Sequence, residues 1–201
     1  MDEQRKNNSV FLRGVPLQPP AFSHESRGER FYTFPLEVAR LSGATDVLNV
    51  LLRQGLMEQT EIREAPLTVQ GDLRSFNNKS GVGSRLVISV YARELRFEDG
   101  PDENQVLLTG TLCKSPKLRE TPLGREICDM MLAVNRRYGR SDYIPCIAWG
   151  LQAREAALWD TGDRVFLTGR LQSRRYIKVT DGVETERTAF EVSVTTAERA
   201  L

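Results

Sequence analysis

Apolar and polar residues alternate in short segments along most of the chain, and turn residues separate these segments. Such alternation, rich in Val, Ile, Leu and aromatic side chains, predicts half-buried strands. In the second half of the chain it predicts five strands, at Val106 to Leu112, Ile127 to Asn135, Tyr143 to Trp149, Val165 to Ser173 and Thr188 to Thr195. Only Leu151 to Trp159 has the composition of a helix, and it ends before Gly162.

The sequence contains an internal repeat, which indicates two copies of one fold. Val10-Phe-Leu-Arg-Gly14 resembles Val106-Leu-Leu-Thr-Gly110, and Phe34-Pro-Leu-Glu-Val-Ala-Arg40 resembles Met130-Met-Leu-Ala-Val-Asn-Arg136, both at an offset of 96 residues. Asp46 and Asp142 keep this offset.

The offset between the copies grows along the chain. Val69 to Ser75 resembles Leu167 to Ser173 at an offset of 98, and Ile88-Ser-Val90 resembles Val192-Ser-Val194 at an offset of 104. The second increase predicts a longer loop in the second copy, around Thr180 to Arg187.

Five strands with a helix between the third and the fourth are typical of the OB-fold, a barrel whose face and loops bind oligonucleotides or oligosaccharides. We therefore expect an all-β protein of two tandem five-stranded OB-fold barrels, each with one short helix. The predicted domains are residues 1–98 and 103–201, and the turn-forming Asp99-Gly-Pro-Asp102 is the expected joint.

The composition narrows the function without deciding it. Of 201 residues 40% are hydrophobic and 27% are charged, which is typical of a globular chain, and the formal charge of +1 provides no overall positive field. No apolar run approaches the roughly 18 residues of a membrane span, and the charged start leads into no signal-peptide core, so a cytoplasmic, nucleoid-associated protein is expected.

The cysteine and histidine content argues against a disulfide framework, a zinc site and a histidine-based triad or metal centre, and no cofactor is expected. Cys113, Cys128 and Cys146 form no CxxC pair and are expected to be reduced core residues, and His24 is the single histidine. Asp160 and Asp163 flank Gly162 in a predicted turn, where carboxylates usually accept backbone hydrogen bonds. We expect no enzyme activity.

The second copy resembles the bacterial single-stranded DNA-binding protein (SSB) family from Val106 to Glu198. The resemblance is carried by Val106-Leu-Leu-Thr-Gly-Thr-Leu112, Leu132-Ala-Val-Asn-Arg136, Asp142-Tyr-Ile-Pro-Cys-Ile-Ala-Trp-Gly150 and Gly169-Arg-Leu-Gln-Ser-Arg-Arg-Tyr176. It implies sequence-independent binding and protection of single-stranded DNA in replication, recombination or repair. It also implies a homodimer, which would give four OB-folds.

Binding a single strand without sequence preference requires rings on which bases stack and cations that follow the phosphates. The expected stacking residues are Tyr138, Tyr143, Trp149 and Tyr176, where the family places its aromatics. The expected phosphate contacts are the cations beside them, Arg136, Arg137, Arg140, Arg170, Arg174, Arg175 and Lys178, with Lys114, Lys117 and Arg119 of the first loop as weaker candidates. Trp159 is expected in the core or an interface.

The first copy has less of this chemistry. At the offset of 96 residues Arg53 stands where the second copy has Trp149, and Val47 stands where it has Tyr143. Phe76, Arg74 and Lys79 remain as DNA-binding candidates, together with Phe31 and Tyr32. One hypothesis is that the first copy mainly builds the dimer or orients the strand, while the second carries most of the affinity.

Two further expectations concern partners. The family usually has an acidic C-terminal tip, and this sequence ends at Thr195-Thr-Ala-Glu-Arg-Ala-Leu201, so recruitment of repair proteins by such a tail is not expected. A specialised role, on a mobile element or at a primosome, then becomes more plausible. The alternative function is a primosomal or scaffold OB-fold protein that acts through protein contacts.

Overall fold

The computed structural model describes residues 7–78, 84–136 and 139–200, and both copies follow one order of elements. The first copy contains β1 (Asn8–Pro16), β2 (Ala21–Ser26), β3 (Glu29–Ala39), β4 (Thr45–Arg53), α1 (Gln54–Gln59), β5 (Leu67–Asn77) and β6 (Leu86–Phe97). The second contains β7 (Glu103–Leu112), β8 (Lys117–Glu120), β9 (Glu126–Asn135), β10 (Ser141–Trp149), α2 (Gly150–Ala156), β11 (Arg164–Thr180) and β12 (Val183–Arg199).

Five strands of each copy close into a barrel, as the OB-fold prediction requires. In the second copy β7 pairs with β11, β11 with β12, β12 with β10 and β10 with β9, and β9 returns to β7 through Thr111↔Ala133 and Leu112↔Leu132. In the first copy β1, β5, β6, β4 and β3 make the same circuit, which closes through Val15↔Glu37 and Pro16↔Leu36. The predicted tandem OB-folds are confirmed.

The structure adds one strand to each barrel. β2 pairs along β3, and β8 pairs along β9, so the described residues of each copy form six strands where five were predicted. Lys117 and Arg119, assigned from the sequence to a loop, lie in β8. Arg119 pairs there with Asp129 of β9, which satisfies its charge across the strands.

The predicted longer loop of the second copy is wrong, because residues 174–187 form a two-stranded ribbon. β11 and β12 stay paired from Ser173↔Phe190 to Thr180↔Val183. The turn between them is Asp181-Gly182, with φ of 51° and 78°. Two positive φ values match the right-handed twist of a hairpin, and Asp-Gly is a preferred dipeptide for such a turn.

Strand pairing also corrects the alignment of the last strands. Val50 pairs with Val90, and its counterpart Cys146 pairs with Val192. A Cβ at Gly71 would overlap the carbonyl oxygen of Tyr91, and a Cβ at the matching Gly169 would overlap that of Ser193. Val90 therefore corresponds to Val192 rather than to Val194, and Tyr91 corresponds to Ser193.

Alternation places the cores inside the barrels. In β10 Ile144, Cys146 and Ala148 are buried, and in β4 the same side of the strand carries buried Leu48 and Leu52. α2 lies between β10 and β11, as predicted, and ends three residues before Trp159, which is buried as expected. No helix of the described residues is long and apolar enough to cross a membrane.

The described chain divides into two compact units that differ slightly from the two sequence copies. One unit contains residues 7–8, 75–78, 84–87, 106–136 and 139–200, and the other contains residues 9–74 and 88–105. We call them the second unit and the first unit, after the copy that supplies most of each. The segment 99–102 lies in the first unit, where Asp102 accepts the Ala39 N–H at 2.6 Å and Pro101 accepts from Arg13.

Candidate nucleic-acid interface

Two aromatic side chains point outward from β10. Tyr143 is 49% exposed and Trp149 is 37% exposed, whereas Ile144 and Cys146 between them are buried in the barrel. This is the arrangement that their even spacing predicts. The indole Nε1 of Trp149 donates to the Ser193 hydroxyl at 3.2 Å, which fixes one edge of the ring against β12.

Tyr176 lies farther along the same unit, on the ribbon. Its ring is half-exposed in β11, and the Arg174 guanidinium lies over it at 5.6 Å from the centroid. A guanidinium at this distance is attracted to the ring face. Arg174 also lies 3.6 Å from Glu191, so it is shared between a ring and a carboxylate.

Some of the predicted phosphate-contacting cations form ion pairs with carboxylates, and others do not. Arg174 pairs with Glu191, and Arg175 pairs at 3.8 Å with Glu186. Arg140, Arg170 and Lys178 have no ion pair with any residue that the structure describes, and Arg140 and Lys178 are exposed. Tyr138, Arg137 and Lys79 lie outside the described residues.

Arg136 has a structural partner. Its Nε donates to Asp142 Oδ2 at 2.5 Å, its Nη2 donates to Asp142 Oδ1, and Asp142 is fully buried. The same group also donates to the Ser75 carbonyl at 3.3 Å. A guanidinium that neutralises a buried carboxylate in this way cannot leave it without a large cost.

The first unit repeats this pair. Arg40 Nε and Nη2 donate to the two carboxylate oxygens of buried Asp46, at 2.7 and 2.5 Å. The hydrogen bond to Asp46 raises the pKa of Arg40 above its usual range. Arg40/Asp46 and Arg136/Asp142 occupy matching positions in the two copies, so the spacing of six residues was the signal in the sequence for a structural ion pair.

Phe76 belongs to the second unit, although the sequence assigns it to the first copy. Its neighbour Ser75 donates its backbone N–H to Asp142 at 2.6 Å, and the Ser75 hydroxyl accepts the Tyr143 N–H at 2.7 Å. Phe76 is 53% exposed and therefore presents its ring one residue from the contact with Tyr143. Arg74 lies in the first unit and pairs with Asp72 at 2.9 Å.

The carboxylate of Asp163 and the thiols of Cys128 and Cys146 have environments that fit a structural role. Asp163 accepts the Asp160 N–H at 3.0 Å, which lowers the pKa of Asp163 and fits the predicted turn. Burial raises the pKa of the Cys128 thiol to about 11, and it also raises the pKa of Cys146. Cys113 is half-buried, and all three cysteines are free. Within the described residues no cluster of three or more metal-binding side chains occurs.

Comparison with known proteins places the second copy in a family. The family described as "Single-strand binding protein family" matches residues 103–199. The single-stranded DNA-binding protein of Clostridium tetani is 37% identical over 99 residues, which are 44% of this chain and 68% of the relative. Single-stranded DNA-binding protein B of Bacillus subtilis is 39% identical over 80 residues, 36% of this chain and 71% of the relative. The chain belongs to the single-strand binding protein family.

The likeness to a solved structure of the family covers both copies. The single-stranded DNA binding protein from Thermus aquaticus matches 96% of this chain with 93% of its own chain, at a TM-score of 0.77 and 24% identity. At this identity the match concerns the fold. This fold match covers the first copy too, although the family match in sequence is limited to residues 103–199.

Proposed function

We propose that this chain binds single-stranded DNA without sequence preference and protects it during replication, recombination or repair. The observation that carries the proposal is the pair of outward rings on β10, Tyr143 and Trp149, in the copy that matches the family. Six residues of strand separate them by about 20 Å, so they would stack different bases of one strand. Tyr176 and Phe76 add two further rings to the same unit.

Cations that form no ion pair with the described residues complete the proposed interface. Arg170 and Lys178 lie on β11, the strand that also carries Tyr176, and Arg140 directly precedes β10, which carries the two outward rings. A phosphate that such a cation contacts releases a counterion, which makes binding weaken with salt. Arg136 is left out of this set, because its guanidinium neutralises Asp142.

The salt dependence tests which cations contact phosphate. Replacing Arg170 and Lys178 together by alanine is expected to reduce the slope of log K against log salt by about 1.4, since each phosphate contact to a single strand contributes about 0.7. Titration of a labelled dT oligonucleotide at several salt concentrations measures it. Arg199→Ala is the matched control, since Arg199 pairs with Asp163 at the end of β12 opposite the ribbon. An unchanged slope for the double variant would remove these residues from the interface.

A homodimer is the second part of the proposal. Leu107 on β7 and Phe166 on β11 are 40% and 37% exposed. The register Phe166↔Thr109 and Thr168↔Leu107 makes them diagonal neighbours on one face of paired strands. Two adjacent exposed apolar side chains on the outer face of paired strands suit burial against a second copy of the chain.

Phe166→Glu is expected to convert the dimer to a monomer, because it would place a charge at the centre of an apolar contact. Sedimentation equilibrium of the full chain measures the number of chains per particle. Leu158→Glu is the control, since Leu158 is 80% exposed after α2. A wild-type monomer, or a Phe166→Glu variant that stays dimeric, would refute this interface.

A further inference from the structure

The first unit carries a row of rings on its outer sheet face. The His24 ring on β2 stacks on Phe31 of β3, with centroids 4.8 Å apart and planes 8° from parallel. Phe31 lies 6.5 Å from the Tyr91 ring of β6. Phe31 and Tyr91 are half-exposed and His24 is exposed, so the row faces outward.

Two guanidinium groups accompany the row. Arg53 of β4 pairs directly with Phe31 in the strand register, and its guanidinium lies 5.8 Å from the Tyr91 centroid. The guanidinium of Arg74 lies 5.6 Å from the same centroid. Arg53 is exposed and forms no ion pair with the residues that the structure describes.

Arginines outnumber the carboxylate beside Tyr91 on this face. Its buried carboxylate, Asp72, pairs with both Arg74 and Arg93, at 2.9 and 2.5 Å. Two arginines share one carboxylate there, and Arg53 adds a further positive charge. Rings interleaved with arginines form a surface suited to a nucleic-acid strand.

The two units place their rings differently at matching positions. Trp149 contacts Ser193 in the second unit. Their counterparts in the first unit, Arg53 and Tyr91, contact each other as well, but there the ring belongs to the second partner. The second unit carries this ring on β10, whereas the first unit carries it on β6, and Arg53 of β4 stands at the position that corresponds to Trp149. Phe31 supplies a second ring where the second unit has buried Ile127, since Phe31↔Arg53 matches Ile127↔Trp149.

We propose that His24, Phe31, Arg53 and Tyr91, the first-unit aromatic face, form a second binding surface for single-stranded DNA. This inference rests on the proposed function and extends it to the first unit. The sequence comparison indicates a loss of stacking residues in the first copy, because it aligns Arg53 with Trp149. The structure instead shows rings that come from other strands of the same face.

The test replaces both rings with the residues that the second unit carries at the same positions. Phe31→Ile and Tyr91→Ser, made together in the full chain, match Ile127 and Ser193, so the barrel has precedent for both side chains. Poly(dT) titration, followed by Trp149 fluorescence, gives the number of nucleotides occluded per chain. We expect the wild type to occlude two OB sites, each of about 4–16 nucleotides, and the variant to occlude about half as many while the Trp149 signal persists.

Arg53→Glu is the second variant, because it leaves the rings in place and changes an exposed side chain. It is expected to reduce the occluded length in the same direction. If the wild type binds and both variants occlude as many nucleotides as it does, the face does not bind DNA and serves another contact. If the wild type itself fails to bind single-stranded DNA, the proposed function is the part that fails.

Discussion

Replacing Tyr143 and Trp149 together by alanine is expected to weaken binding of a dT oligonucleotide by at least about 30-fold. Each stacked base contributes about 1–3 kcal/mol, and about 1.4 kcal/mol corresponds to a factor of ten. Both side chains lie on the outer side of β10, so their loss removes stacking surface without opening the core. Fluorescence anisotropy of a labelled oligonucleotide measures the change.

Variants that keep an aromatic ring are the controls for this loss. Tyr143→Phe retains the ring and should bind within a few-fold of the wild type. Trp149→Phe retains stacking but loses the hydrogen bond from Nε1 to Ser193. Wild-type affinity in the double alanine variant would show that the outward rings of β10 do not hold DNA.

Arg136→Ala is expected to destabilise the protein by about 3–5 kcal/mol while leaving the salt dependence of DNA binding unchanged. The substitution removes the guanidinium partner of the buried Asp142 carboxylate, and breaking a buried ion pair in this way has a cost of this size. Urea unfolding followed by circular dichroism gives the free energy of unfolding.

Arg119→Ala is the matched control, since Arg119 also pairs with an aspartate but at the surface. Its removal should change the free energy of unfolding by about 0–1 kcal/mol. A stable Arg136→Ala variant with a reduced salt slope would restore Arg136 as a phosphate contact and contradict the structural assignment.

Much of the second barrel could be predicted from the sequence, because its strands obey alternation. One face of β10 must fill the barrel. Tyr143 and Trp149 are an even number of residues apart, so their spacing predicts that both lie on the opposite, outward face. The helix after β10 was predicted within three residues of its end, since Ala153 and Ala156 both favour a helix and provide its buried side.

The ribbon was missed for a physical reason. Residues 174–180 and 183–187 are exposed except for a few half-exposed positions, so no buried face imposes a pattern on them. Cross-strand pairing and the Asp181-Gly182 turn hold this ribbon together. The turn dipeptide was the available signal, but the offset between the copies predicted a loop around Thr180 to Arg187 that contains it.

The placement of Phe76 depends on contacts between distant parts of the sequence. Ser75 reaches Asp142 and Tyr143, some 67 and 68 residues away, and no local pattern contains that information. The sequence assigned Phe76 to the first copy as a DNA-binding candidate. In the structure Phe76 reports on the second unit, and Phe31 and Tyr91 are the residues that report on the first.

The most direct test of the central claim is the fluorescence of Trp149 during titration with a dT oligonucleotide of about 35 residues, at low and high salt, against a duplex of equal length. Trp159 is buried at 6% exposure and provides a constant background, and Trp149→Phe identifies the signal that responds. Tight quenching by the single strand alone, weaker at high salt and absent in Trp149→Phe, is the predicted result. No quenching and no mobility shift at low salt would contradict DNA binding by this chain.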